Sequence, residues 1–269
     1  MVTARREIEE NIKLVDIILL VLDARAPFSC RNPQLENMLQ NKKVLYIFNK
    51  SDLADPEQTR KYILQFQQQG LVAVAMEAIS GGGRKEVLKQ VQLMYQELAA
   101  RMLEKGRRVR PARLMVAGVP NVGKSTVLNV LAGKKSARTG EKPGVTRGKQ
   151  WVRYAEQLEI MDTPGLMWPK VESEAQGYKL ALLNIVGSKA YQEYDVILFL
   201  LAELRLFNPQ ILQDKIHHDA LNYSNEELLS ELAKRRGYLQ HGGAVDHEKT
   251  AQVILHEFRK GKWGRFSMD

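Results

Sequence analysis

The chain has 269 residues, 44% of them hydrophobic and 26% charged, which excludes global disorder and allows one large or two medium domains. A lone cysteine, Cys30, excludes an internal disulfide and fits a reducing, cytoplasmic setting. Near the start the longest apolar run, Ile17 to Leu22, is too short to cross a bilayer, so neither a signal peptide nor a membrane partner is expected.

Leu14 to Leu22 reads as a strand buried on both faces, broken by Asp23-Ala24-Arg25-Ala26-Pro27. A short helix follows over Pro33 to Gln40, then a strand over Lys43 to Phe48. Pro56 opens a helix to about Gln69, and Gly70 stops it ahead of a strand over Leu71 to Ala75. Lys85 to Glu104 carries an apolar face at helical spacing, with Val87, Leu88, Val91, Met94 and Leu98. Lys105 to Pro111 reads as a basic surface linker, Leu114 to Ala117 as a strand and Lys124 to Ala132 as a helix. Gly133 to Lys149 has no period and reads as a loop. Gln150 to Tyr154 and Leu158 to Met161 read as a hairpin. Strands alternating with helices predict a mostly parallel α/β sheet. From about Gln176 helical spacing takes over, at Ala175–Ser188, Tyr194–Leu206, Asn225–Arg236 and Lys249–Lys260. Two domains are therefore expected, at 1–175 and 176–269.

The net charge of +9 is unevenly spread. Residues 101–153 hold fourteen Lys/Arg against two Asp/Glu, a local net of +12, and the other 216 residues sum to −3. A basic stretch of this density suits a polyanion such as RNA, or is an ordinary solvated surface. Trp263 and Phe266, interleaved with Lys262 and Arg265, either stack on RNA or pack on their own domain. The five histidines show no metal-ligand spacing.

Gly118-Val119-Pro120-Asn121-Val122-Gly123-Lys124-Ser125 fits Gly-x4-Gly-Lys-Ser between a strand and a helix. Glycines let backbone N–H groups curl around phosphate oxygens, and the following helix presents its positive end. Val122, Gly123 and Thr126 belong to that cradle. Lys124 would reach the β- and γ-phosphates, and the Ser125 hydroxyl would ligate Mg²⁺. Asp162-Thr163-Pro164-Gly165 follows a strand, where Asp162 suits a Mg²⁺ carboxylate and Gly165 an N–H aimed at the γ-phosphate. Thr146 is the favoured threonine to close on Mg²⁺, with Thr139 the competitor. Asn49-Lys50-Ser51-Asp52 would read the base. Asp52 can accept from the guanine ring N–H and amine, which adenine lacks, while Lys50 lies along the base plane and Asn49 ties the two loops together. Glu77 and Ala78, after the third strand, offer backbone to the guanine carbonyl. The expected ligands are thus GTP or GDP with Mg²⁺.

The base-reading motif precedes the phosphate motifs, the reverse of a Ras-like chain. With Asp23-Ala24-Arg25-x-Pro27-x-Ser29-x-Arg31-Asn32-Pro33, Asp162-Thr163-Pro164-Gly165-Leu166-x-Trp168-Pro169 and Lys262-Trp263-Gly264-Arg265-Phe266-Ser267, it resembles the circularly permuted YlqF/RbgA family of ribosome-biogenesis GTPases over nearly its whole length. The resemblance implies a circularly permuted Ras-like P-loop GTPase domain on a six-stranded, mostly parallel sheet, followed by a small all-α domain. It implies ribosomal RNA and the large ribosomal subunit precursor as partners. Nothing in the sequence fixes the oligomeric state, and a monomer is the default expectation. Leu166 stands where Ras-like enzymes carry a water-orienting glutamine, so slow intrinsic hydrolysis is expected. The family's Trp-Phe-Pro-Gly-His, with its proposed catalytic histidine, would fall just before Met1, so the resemblance assigns no catalytic residue here. Asn121 either helps hold K⁺, as in potassium-activated relatives, or stabilises its own turn.

Overall fold

The computed structural model describes residues 9–133, 151–154, 158–162, 171–216 and 219–269. It divides into two compact units, Met1–Lys170 with Asp269, and Val171–Met268.

In the first unit, a helical turn at 9–12 leads into β1 (Ile17–Asp23), every residue of which is buried. The strand starts later than its hydrophobicity suggests. Leu14 N and Val15 N fold back on Asn11 O and Ile12 O, and the Asp16 carboxylate accepts from Arg110 and from Arg113 N. Next comes α1 (Pro33–Leu39), capped by Asn32, whose side chain accepts from Leu35 N. After β2 (Lys43–Asn49), α2 (Pro56–Gln68) is capped by Asp55, which accepts from Glu57 N and Gln58 N. Each such cap contributes about 1 kcal/mol. Next come β3 (Val72–Met76) and α3 (Arg84–Glu104). Gly106 (φ 65°) ends α3, its N–H donating to Leu103 O while Arg107 N donates to Met102 O, so the turn closes on the last free carbonyls. The unit continues with β4 (Ala112–Gly118), α4 (Lys124–Ala132), β5 (Trp151–Tyr154) and β6 (Leu158–Asp162).

The strand order is β3-β2-β1-β4-β6-β5. Five strands are parallel, and β5 runs antiparallel to β6 at the edge. Helix α2 packs against β3, α3 against β1, β2 and β3, and α4 against β4, β5 and β6; β1 is buried throughout and β4 at every residue but Arg113. Phe66 of α2 anchors an aromatic cluster with Phe28, Tyr46 and Phe48. Cys30 is buried, and burial pushes its thiol well up, making it an inert packing group. Asp269 belongs to this unit: its carboxylate accepts from Ser29 N at 2.9 Å and Ser29 Oγ at 2.5 Å.

The second unit is helical among its described residues. Helix α5 (Glu174–Leu182) stops well short of the expected Ser188. Asn184 adopts φ 60°, and its N–H and that of Ile185 cap Ala181 O and Leu180 O. Helix α6 (Glu193–Phe207) buries Val196, Ile197, Leu200, Leu201 and Leu204. Helix α7 (Pro209–Lys215) has no counterpart in the sequence reading, because Asn208-Pro209 reads as a break; Pro209 instead sits in its first turn, where no backbone donor is needed. Helix α8 (Asn225–Arg235) opens on a capping box of Ser224 and Glu227, and α9 (His247–Arg259) packs against α6 and α8. Trp263 and Phe266 are buried, Trp263 Nε1 donating to Glu257 and Phe266 lying against Phe258. They pack within the protein and offer no stacking face to RNA. Among the described residues no helix is long and apolar enough to cross a membrane.

Candidate nucleotide site

Parallel strands aim their carboxyl ends at one rim, where open α/β sheets bind ligands. Asp23, Asn49, Met76, Gly118 and Asp162 are the last residues of β1, β2, β3, β4 and β6, so the loops that follow all leave from this rim. In register, Asp23 pairs with Asn49, and Val116 with Asp162. The base-reading strand and the phosphate-loop strand therefore flank β1.

Asn49, 3% exposed, joins three loops with one amide. Its Nδ2 donates to Val122 O at 2.8 Å, and its Oδ1 accepts from Ala78 N at 3.1 Å. The Ala78 N–H is thus already engaged, while Glu77 N donates to Gly82 O across an isolated bridge. Lys50, in the left-handed region at φ 59°, donates from Nζ to Asn121 O at 2.8 Å and lies 3.0 Å from Asp23 Oδ2. Asn121 is also left-handed, at φ 59°. Such conformations persist in bulky residues only where the surroundings hold them. Ser51 N donates to Met76 O, and Asp52 is half-buried beside it.

Gly118 and Gly123 are required by close approach. At φ 146°, a Cβ on Gly118 would collide with the Val21 carbonyl; at φ 93°, one on Gly123 would collide with Asn49 Nδ2. Gly123 also starts α4 without a side-chain cap, so the helix meets the rim with its backbone N–H groups forward. Lys124, 8% exposed, donates from Nζ to Val119 O at 2.9 Å across the loop. Ser125 and Thr126 are half-buried on the first turn. Thr146, Thr139 and Gly165 lie outside the described residues, as does Leu166. Among the described residues no group of three or more His, Cys, Asp or Glu could hold a metal. The oxygen donors predicted for Mg²⁺, a Ser125 hydroxyl and the carboxylate of Asp162, are chemically of the hard type that ion takes.

Two functional candidates received no site role in the sequence reading, which took Asp23 and Arg25 as a strand break and as part of the family resemblance. Asp23 is fully buried, and Arg25, 2% exposed, grips it with Nε and Nη2, each at 2.9 Å. Burial alone would push the Asp23 carboxyl up; the charges of Arg25 and Lys50 overcome this and hold it well below the usual carboxylate range. Arg25 in turn stays firmly cationic: burial opposes its charge, and Asp23 outweighs that, with Asp52 a smaller contributor. The available signal was an Asp-x-Arg whose Asp closes an otherwise apolar strand.

A family model described as 50S ribosome-binding GTPase matches residues 113–235. The chain is 40% identical over 270 residues to the ribosome biogenesis GTPase A of Priestia megaterium, spanning 100% of this chain and 94% of that one. It is 35% identical to the Bacillus cereus protein of the same name, spanning 100% and 91%. Among solved structures, GNP-bound YlqF from T. maritima superposes with a TM-score of 0.71 at 27% identity, covering 99% and 97% of the two chains. A GDP-bound structure of TM YlqF matches with the same TM-score, covering 98% of each chain. Fold and rim define an α/β P-loop GTPase, an enzyme that hydrolyses GTP. The chain belongs to the ribosome biogenesis GTPase A family.

Proposed function

We propose that the protein is a GTP-hydrolysing switch that binds ribosomal RNA and assists a late step of large-subunit (50S) assembly in the cytoplasm, acting as a monomer. The observation that carries this reading is the clasp between base-reading and phosphate loops, Asn49 on Val122 and Lys50 on Asn121, in a family of ribosome biogenesis GTPases. In this reading the order of motifs is a circular permutation of a Ras-like domain, and residues 176–269 form a helical domain that follows the GTPase domain at 1–175 in sequence. Asn49, Lys50, Ser51 and Asp52 read guanine, with the Glu77–Ala78 backbone beside them. Asn121, Val122, Gly123, Lys124, Ser125 and Thr126 cradle the phosphates, and Gly165 donates to the γ-phosphate. Ser125, Thr146 and Asp162 hold Mg²⁺, which would draw charge from the phosphates; Asn121 helps hold K⁺.

The basic stretch supports an RNA partner in a restricted way. Arg101, Lys105, Arg107 and Arg108 are exposed around the end of α3, whereas Arg110 is paired with Asp16 and Arg113 with Glu159. Ion-paired cations add less to a polyanion field than solvated ones. Leu166 offers water no hydrogen bond, so turnover is slow alone and rises on the ribosomal particle. Leu166 equally favours a second reading, a nucleotide-gated scaffold with negligible turnover. GTP turnover in K⁺ and in Na⁺, each with and without assembling large subunits, separates them. The switch predicts acceleration by particles and a higher rate in K⁺; a flat, near-zero rate in all four conditions favours the scaffold. Equal RNA affinity with GTP analogue and with GDP would remove the switch.

A further inference from the structure

The Asp23–Arg25 pair lies beneath the base-reading loop with a geometry beyond what packing needs. Asp23 ends the central strand β1 in register with Asn49, one residue before Lys50. Its two carboxylate oxygens are both engaged: Oδ1 accepts from Arg25 Nε and Arg25 N, and Oδ2 from Arg25 Nη2, with Lys50 Nζ 3.0 Å away. The guanidinium fork fixes the carboxylate plane, because a bidentate pair tolerates little rotation. The fixed Oδ2 then offers Lys50 a permanent anion in the protein interior. Lys50 reaches it from a left-handed backbone, so that loop conformation and the Nζ position are set together. The same ammonium donates to Asn121 O, closing the base loop on the phosphate loop.

We propose that Asp23, oriented by Arg25, is the positioning residue for Lys50: it holds the ammonium between the two nucleotide loops before nucleotide arrives, and so slows nucleotide release. This rests on the reading that Lys50 faces the purine. Asp23 engages Arg25 and Lys50, and its proposed action runs through Lys50. Without it Lys50 would sample the rotamers of a solvated lysine, and ordering it would be charged against each binding event. The competing account is that the pair merely stabilises the loop after β1.

The test is release of a fluorescent GDP analogue from the full chain carrying Asp23→Asn, Lys50→Gln or both, with Asp52→Asn as the check on the base site. Asn keeps the shape of Asp23 and removes the charge. Loss of a charge-assisted contact predicts release about tenfold faster for Asp23→Asn. The double variant should be no faster than Lys50→Gln alone, since both changes remove one function. If Asp23→Asn does not fold, Arg25→Lys keeps the charge and loses the fork; a few-fold faster release is expected, on the order of threefold, again absent in the Lys50→Gln background. Multiplying effects, or unchanged release in a variant that folds, overturns the proposal. If Asp52→Asn and Lys50→Gln both leave release unchanged, the base-site reading itself fails; if they accelerate it and Asp23→Asn does not, only the positioning role does.

Discussion

In the first unit three charged side chains, Asp23, Arg25 and Lys124, are nearly closed to solvent; in the helical unit the buried polar residues described are Thr250 and Ser267, both uncharged. Taking a charge out of water costs several kcal/mol unless partners compensate. The first unit carries that cost at the carboxyl-end rim of its sheet, and the second is stabilised by apolar side chains such as Leu200, Leu232 and Trp263. The difference teaches where chemistry resides: burial of charge marks the nucleotide site, and burial of hydrocarbon marks a scaffold.

Mutations that invert this contrast should separate binding from stability. Lys124→Ala removes a buried ammonium from the phosphate loop, and GTP affinity should drop on the order of a hundredfold or more in a fluorescent-nucleotide titration. Leu200→Ala, in the centre of α6, should lower unfolding free energy by about 2–5 kcal/mol in denaturant melts of the full chain. Its effect on GTP affinity should stay within about twofold, as expected where two units act independently. A large affinity loss for Leu200→Ala would erase the distinction. Asp52→Asn should cost GTP roughly a hundredfold while improving xanthosine triphosphate, whose 2-oxo group suits an amide donor; competition between the two nucleotides measures it.

Smaller effects sharpen the comparison. Gly123→Ala meets both a left-handed backbone and Asn49 Nδ2, so about 1–3 kcal/mol of destabilisation is expected, together with weaker nucleotide binding. Ser224→Ala breaks the capping box of α8 and should cost about 1 kcal/mol with no change in nucleotide affinity. Glu257 contributes to the pH dependence of the helical unit. Burial works to raise its carboxyl, but hydrogen bonds from Arg236 and Trp263 lower it on balance. A depressed carboxyl stabilises the fold above its ordinary value and loses that contribution as pH falls through the folded value. Glu257→Gln should therefore destabilise at neutral pH, and the gap from wild type should close below about pH 4. A constant gap across that range would mean that shape, not charge, is what Glu257 provides.

Much of the first unit was legible because its signals are local. The apolar run Ile17 to Leu22, Pro56 behind Asp55, and glycines at 118 and 123 each report a backbone requirement within a few residues. That Asn49 ties its loop to the phosphate loop followed from the motif; that Val122 O is the acceptor did not. What stayed hidden depends on distant partners. Nothing near Asp23 in sequence reveals that Lys50 will stand over it, and nothing near Ser29 announces Asp269. The helical unit hid its punctuation for another reason: Asn208-Pro209 and Asn184 can either start or stop a helix, and neighbouring packing decides. Aromatic residues among cations at the C-terminus were ambiguous until Trp263 and Phe266 proved buried.

The close approach of residue 123 to residue 49 has a consequence for sequence divergence. With an amide nitrogen occupying the space where a methyl would grow, these positions cannot drift separately. A larger residue at the first would need both a shorter one at the second and a backbone released from its left-handed turn, so laboratory selections for function should leave the glycine in place.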